Sequence, residues 1–374
     1  MAADQHHTHG LGRRALIGLI AAALPLIAAA PVASAASSTA AVRGPHVVGN
    51  RLLDRQGRRL ILRGVNRSGT EYACIQGFGI FDGPSDAASV RAIASWHVNF
   101  VRVLLNEDCW LGINRVKRAY SGMAYRRAIL RYIALLHRYG IYAEVSLIWG
   151  APGRFRATRQ PAAPDADHSP AMWKSMAATF KRDPNVVLGP WGEPVVNPGC
   201  LLRGGICEAK YGPAKMPYRT AGMQQAVDTM RAAGYRGVIA IPGVDFANDL
   251  TRWLAYEPSD RLHQLIAEAH VYGNNVCSSP ACLTQTISPV ADQVPVILGE
   301  FGETYDGSSC GSSRTSSVLR WADAYQVGYA AWTWDTWRNC KVLIRNYGGA
   351  PAHRYGAFVK SYYAQHASST HRLR

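Results

Sequence analysis

The strongest constraint on this chain is a repeated alternation of a short apolar run, an amphipathic helical stretch, and another apolar run. Eight runs qualify as strands, at 60–65, 98–105, 141–147, 186–190, 237–241, 265–270, 294–299 and 328–334. They are continuous rather than alternating and rich in Val, Ile and Leu, which is how a parallel strand buried on both faces reads. Helical patterns fall between them at 85–96, 125–139, 171–181, 220–233, 316–325 and 355–364. The first opens on a serine cap and the second stops at Gly140. Eight βα repeats predict an α/β fold closed as a (β/α)8 TIM barrel, a single domain with loop insertions, rather than a doubly wound sheet. Segment 47–62 reads as a hairpin-like entry with its turn at Asp54-Arg55-Gln56-Gly57.

A barrel of this kind gathers its reactive groups where the strands end. Run four leads through VVLGPWGEP to Glu193, and run seven through VPVILGEFGE to Glu300. A carboxylate ending a buried strand is costly unless a site uses it. Other ends are polar or aromatic as well: Asn66-Arg67-Ser68 after run one, Arg102 within run two and Asn106-Glu107-Asp108 after it. His270 and Tyr272 end run six, and Trp332 and Trp334 lie in run eight. Trp110, Trp149, Trp191 and Trp337 also fall at or just past strand ends. Flat rings cover the C–H faces of sugars, so two or three of these six tryptophans are expected as contacts and the rest as core. Two carboxylates facing across a cleft are the minimum for glycosidic cleavage, one protonated to help the leaving oxygen depart and one ionised.

LRGVNRSGTEYAC (62–74), VNFVRVLLNEDCWLG (98–112), GEP (192–194), HVYG (270–273) and ILGEFG (297–302) together resemble glycoside hydrolase family 5, the cellulase-like retaining enzymes. AWTWDTW (331–337) fits that family's last strand, and PDADHSPAMW (164–173) resembles a stretch of its bacterial secreted members. The resemblance runs from about Val47 to Phe358. It implies roles: Glu193 the acid/base, Glu300 the nucleophile, Arg102 the cation beside the nucleophile, and Tyr272 its hydrogen-bond partner. His270 lines the same floor, Trp332 is the sugar platform, and Trp149 is a further substrate contact. The implied activity is hydrolysis of a β-linked glucan or mannan by a retaining double displacement, endo-β-1,4-glucanase-like, without cofactor or metal. Glu303, close behind Glu300, reads as a loop carboxylate.

Two residues depart from the family pattern. Gly192 stands where the family has the asparagine that reaches the sugar 2-hydroxyl, and Ile148 replaces a histidine at the end of strand three. Pro190 is also unusual inside a strand, because proline donates no ladder hydrogen bond. The alternative reading is therefore a polysaccharide-binding barrel that turns substrate over slowly or not at all. Restoring Gly192→Asn would test whether the missing amide limits the rate.

The chain has 374 residues and a formal charge of +16. Arg13-Arg14, an alanine-rich apolar segment and Val32-Ala33-Ser34-Ala35 form a secretory signal peptide over 1–35, with a hint of twin-arginine export. Residues 36–46 read as a linker, 47–366 as the catalytic domain and 367–374 as a tail. A secreted, extracellular monomer is expected, with no membrane insertion after cleavage. Basic residues are scattered rather than clustered on one element, which argues against nucleic acid as the partner and leaves a polysaccharide or oligosaccharide. Eight cysteines in an exported chain imply disulfides. Cys200/Cys207 and Cys277/Cys282 read as loop staples, and Cys74–Cys109 and Cys310–Cys340 are expected for the others. Sequence alone leaves the connectivity open. No CxxC pair or His spacing completes a zinc pattern.

Overall fold

A computed structural model of the chain describes residues 44–210, 217–369 and 371–373. The expected signal peptide and residues 36–43 of the expected linker lie outside the described residues. Eight parallel strands close into a barrel: β1 (Arg63–Arg67), β2 (Phe100–Asn106), β3 (Tyr142–Trp149), β4 (Val186–Gly189), β5 (Ile239–Pro242), β6 (Leu265–Tyr272), β7 (Val296–Gly302) and β8 (Gly328–Ala331). Neighbours follow chain order around the barrel, so every crossover joins adjacent parallel strands.

The outer layer includes α1 (Ala87–Ala94), α2 (Met123–Arg138), α3 (Ser169–Phe180), α4 (Met223–Ala232), α5 (Pro280–Thr286), α6 (Ser313–Ala324) and α7 (His353–Gln365). Between β5 and β6 there is only a short 3-10 turn, Trp253–Tyr256. The α1 cap is Asp86 rather than the expected Ser85: its carboxylate accepts the Ser89 backbone N–H at 2.9 Å. Gly140 does end α2, with a φ of 75° that a side chain would resist.

Three further expectations are revised. β4 stops at Gly189, so Pro190 needs no ladder N–H, and its carbonyl accepts Trp173 Nε1–H at 2.8 Å. β8 stops at Ala331, which leaves Trp332 and Trp334 in the loop beyond it. The entry hairpin pairs His46–Val48 with Arg51–Leu53, so its first strand begins inside the segment read as linker. Asp54 still holds a turn of its own, accepting the backbone N–H of Gln56, Gly57 and Arg58. At the other end, the tail closes the base of the barrel. Leu373 donates to the Gly140 carbonyl at 2.9 Å, and Asn99 Nδ2 to that of His371 at 2.9 Å.

Alternate residues of a strand point to opposite faces, so each barrel strand sends one set outward to the helices and one inward. The outward set, including Val101, Val103, Val145, Leu188, Ile241 and Leu298, joins the main apolar core. Inward, the base is an apolar plug of Phe100, Tyr142, Val187, Ala240, Ile266, Ile297 and Ala330, closed by Leu52, Leu60 and Leu62. Two residues further along β2, β3 and β6 the interior becomes charged, with Arg102, Glu144 and Glu268 all fully buried. One more step up lies the cleft.

Candidate active site

Glu300 reaches the cleft because β7 is irregular. Ala269 pairs with Leu298 but His270 pairs with Glu300, so Gly299 is an extra residue in the register. A strict alternation from inward Ile297 would turn Glu300 toward the helices. The bulge re-aims it to the interior. The carboxylate is then held from three sides. Arg102 Nη1 donates to Oε1 at 2.9 Å, the Tyr272 hydroxyl to Oε2 at 2.7 Å, and His270 Nδ1 lies 3.7 Å from Oε2. Arg102 itself is fixed by Asn66 Oδ1 at 3.1 Å and Ser146 Oγ at 3.2 Å. Burial pushes the Glu300 carboxyl up and Glu193 adds to it, while His270, Arg102 and the Tyr272 hydroxyl pull the other way. For Arg102, burial opposes the charge but Glu268, Glu144 and Glu300 more than restore it.

Glu193 sits in the loop after β4. Gln160 Nε2 donates to its carbonyl at 2.8 Å, and the Phe246 N–H donates to the Pro194 carbonyl at 3.1 Å, so the loop is tied on both sides. Its Oε1 lies 2.8 Å from His270 Nδ1. An oxygen of Glu193, a nitrogen of His270 and an oxygen of Glu300 all fall within 4.8 Å of one another. Glu107, Asp165 and His168 form a similar trio. Either spacing would admit a cation, but in the first trio His270 Nδ1 is already engaged by Glu193 Oε1 at 2.8 Å. In the second, Glu107 is engaged by Ser169 Oγ at 2.7 Å and by the Ala151 N–H at 3.2 Å.

The cleft has a volume of ≈ 630 Å³, and Glu193, Glu300, Tyr272, Trp149, Trp332 and Trp337 line it. That volume suits a few sugar units. Trp110, Trp191 and Trp334 are instead fully buried in the core. Asn106, Glu107 and Asp108 at the end of β2 do not line the cleft. Their side chains accept backbone N–H groups of Cys109, Ala151 and Ala157 and so hold the loops around it. Glu303 caps α6, accepting the Thr315 N–H and hydroxyl at 3.0 Å each. All eight cysteines are paired, as Cys74–Cys109, Cys200–Cys207, Cys277–Cys282 and Cys310–Cys340, the pairs expected.

Residues 54–337 match the sequence profile of Cellulase (glycosyl hydrolase family 5). The chain belongs to glycosyl hydrolase family 5. Among curated proteins it is 22% identical over 328 residues to a mannan endo-1,4-beta-mannosidase of Streptomyces lividans, covering 85% of this chain and 73% of that one. It is 21% identical over 252 residues to beta-mannanase/endoglucanase A of Caldicellulosiruptor saccharolyticus, covering 66% of this chain but 16% of that longer protein. A beta-glucanase from Saccharophagus degradans, solved in complex with cellotetraose, shares the fold with a TM-score of 0.64 at 17% identity, over 87% of this chain and 94% of that one.

The two departures from the family 5 pattern are one packing arrangement. A Cβ built on Gly192 would lie 2.9 Å from Ile148 Cγ1 and 3.0 Å from Ile148 Cδ1. The isoleucine occupies the space that a side chain at 192 would need. Sequence reasoning passed over Glu144 and Glu268, which interrupt the apolar runs YAEVSLIW and LIAEAHVY. A charge in mid-strand was the available signal, and Glu268 also stands two residues before the site histidine on the same face. Tyr72 and Gln160, which also line the cleft, carried no signal because they lie on loops.

Proposed function

We propose that this family 5 chain is a secreted glycoside hydrolase that cleaves a β-linked glucan or mannan with retention of configuration. The observation that carries the reading is the pair of carboxylate oxygens, from Glu193 and Glu300, within 4.8 Å across one aromatic-lined cleft. A separation of about 5 Å suits direct attack by a carboxylate, whereas inversion needs room for a water. Glu300, held by Arg102 and Tyr272, attacks the anomeric carbon. Glu193 gives its proton to the leaving oxygen, then takes one from the water that releases the sugar. Trp332 and Trp149 present ring faces to the sugars. The similarity to a mannan endo-1,4-beta-mannosidase and to a beta-glucanase solved with cellotetraose supports glucan or mannan as the class.

The test is a panel of soluble β-glucans, mannans and glucomannans with product analysis and NMR of the first-formed anomer. Release of β-anomer that is lost in Glu300→Ala supports the reading. α-Anomer would overturn the retaining step. The second reading, a barrel that binds polysaccharide with little turnover, is favoured by the Gly192 and Ile148 pair, which removes polar groups from the cleft. It predicts glycan affinity without released sugar, and affinity that survives loss of both carboxylates.

A further inference from the structure

Beneath the two cleft carboxylates lies a second pair that the hydrolysis above does not use. Arg102 Nε is 3.0 Å from Glu144 Oε1 and 3.1 Å from Glu268 Oε1. One N–H therefore faces two carboxyl groups, both with 0% side-chain exposure. The Oε2 atoms of Glu144 and Glu268 are buried without a hydrogen-bond partner. The space for both carboxyl groups is built into the barrel. A Cβ on Gly299 would fall 2.1 Å from Glu268 Oε1, and one on Gly189 would fall 2.9 Å from Glu144 Oε1. Glu268 Oε1 also lies 3.0 Å from His270 Nε2, whose other nitrogen meets Glu193.

We infer that Glu268 is a positioning residue that retains the proton shared between His270 and Glu193, while Glu144 carries the proton that leaves Glu268 free to act as acceptor. This rests on the reading of Glu193 as the acid/base. Two carboxyl groups sharing one donor away from water hold a single negative charge between them. Glu268 Oε1 faces two donors, Arg102 Nε and His270 Nε2, whereas Glu144 Oε1 faces Arg102 Nε alone, so the charge sits on Glu268 and the proton on Glu144, whose carboxyl burial and that charge push up to about 8. Glu268 then accepts His270 Nε2–H, and Nδ1 holds a further proton against Glu193 Oε1, 2.8 Å away, on which Glu193 draws when it protonates the leaving oxygen. Burial lowers the affinity of His270 for that proton, but Glu300, Glu193 and Glu268 carry it up to about 10. The charged or titratable groups facing Glu268 are Arg102 from β2, Glu144 from β3, His270 and Tyr272 from β6, Glu300 from β7, and Glu193 after β4. Among the described residues, β1 brings only neutral Asn66 inward here, and β4, β5 and β8 contain no ionisable residue that faces this layer.

A negative charge on the far side of the imidazole stabilises the shared proton, so removing it lets the proton leave at lower pH. In kcat/KM profiles, Glu268→Gln should move the basic limb down by about one pH unit or more, with KM little changed. Glu144→Gln alters a group that touches Arg102 but not His270, so it should move that limb by less than half as much. An unmoved limb in Glu268→Gln, or an equal shift in Glu144→Gln, overturns the inference. A second readout needs neither turnover nor a variant: NMR of the ¹⁵N-histidine-labelled full chain. His270 should hold both ring protons well above the ordinary histidine range, and titration near that range would overturn the inference even if the protein cleaves glycans. If His270 behaves as expected and no glycan is cleaved, only the hydrolase reading fails.

Discussion

In the proposed mechanism, Glu193 and Glu300 make different demands on the leaving group. Glu193→Ala should lower kcat on polysaccharide by about 10²–10⁴, the usual worth of a general acid. It should cost far less on an activated aryl β-glycoside, whose leaving group needs no proton. Glu300→Ala should remove turnover of both, and an equal loss for the two variants on the aryl substrate would contradict the assigned roles. Gly192→Asn is the other informative residue. The asparagine Cβ meets Ile148 at 2.9 Å, so the single substitution overpacks the cleft wall. It should destabilise the protein by about 1–3 kcal/mol and bring no gain in rate. Coupled to Ile148→Ala, the same asparagine has room, and kcat/KM on β-glucan should rise above that of either single variant. A gain from Gly192→Asn alone would show that Ile148 yields easily.

Within elements, two contacts that look incidental in sequence set the geometry. Gly299 sits at the β7 bulge and beside Glu268, so Gly299→Ala places a methyl group 2.1 Å from a buried oxygen. Glu268 and then His270 must shift. We expect about 1–3 kcal/mol lost from thermal unfolding, together with a fall in kcat, although the substitution adds one carbon. Glu303 satisfies the first turn of α6 from the end of β7, so Glu303→Ala should cost about 1 kcal/mol, the usual worth of a helix cap, with turnover nearly intact. The strands themselves were legible as apolar runs because each is local. Their ends were less so: the turn at Pro190 and the loop at Trp332 are decided by which neighbour supplies the last ladder bond, and that neighbour is distant in the chain.

Across the whole molecule, stability should fall as pH rises. Glu144 takes a folded value of about 8 and Glu71, buried against Ser68 and Gly69, about 7. Both are raised, so between the ordinary carboxylate range and those values the folded state binds more protons than the unfolded state. The stability they confer is present in acid and lost as pH climbs toward 7 and 8. His270 adds to this: its stabilisation is full below the ordinary histidine value and disappears as pH approaches about 10. The melting temperature should therefore decline from about pH 5 upward, and Glu144→Gln should flatten that decline up to about pH 8. A melting temperature that rises over the same range would contradict the buried-proton account. Opening Cys74–Cys109, which closes a separation of 35 residues, should cost about 3–4 kcal/mol by loop entropy, measured by denaturant unfolding of the double serine variant.

The barrel and its two cleft carboxylates could be inferred from the chain alone, because strand periodicity and the residue that ends a strand are properties of short stretches. The pairing of eight cysteines was also anticipated, by proximity for two pairs and by expectation for the others. Only the tertiary structure decided which charges meet. The contacts joining Glu268, His270 and Glu193, the Arg102 N–H facing two carboxyls, and the fit of Ile148 against Gly192 all depend on register between strands far apart in sequence. One extra residue at Gly299 turns a side chain to the opposite face, and a closed barrel brings together groups that no local pattern relates.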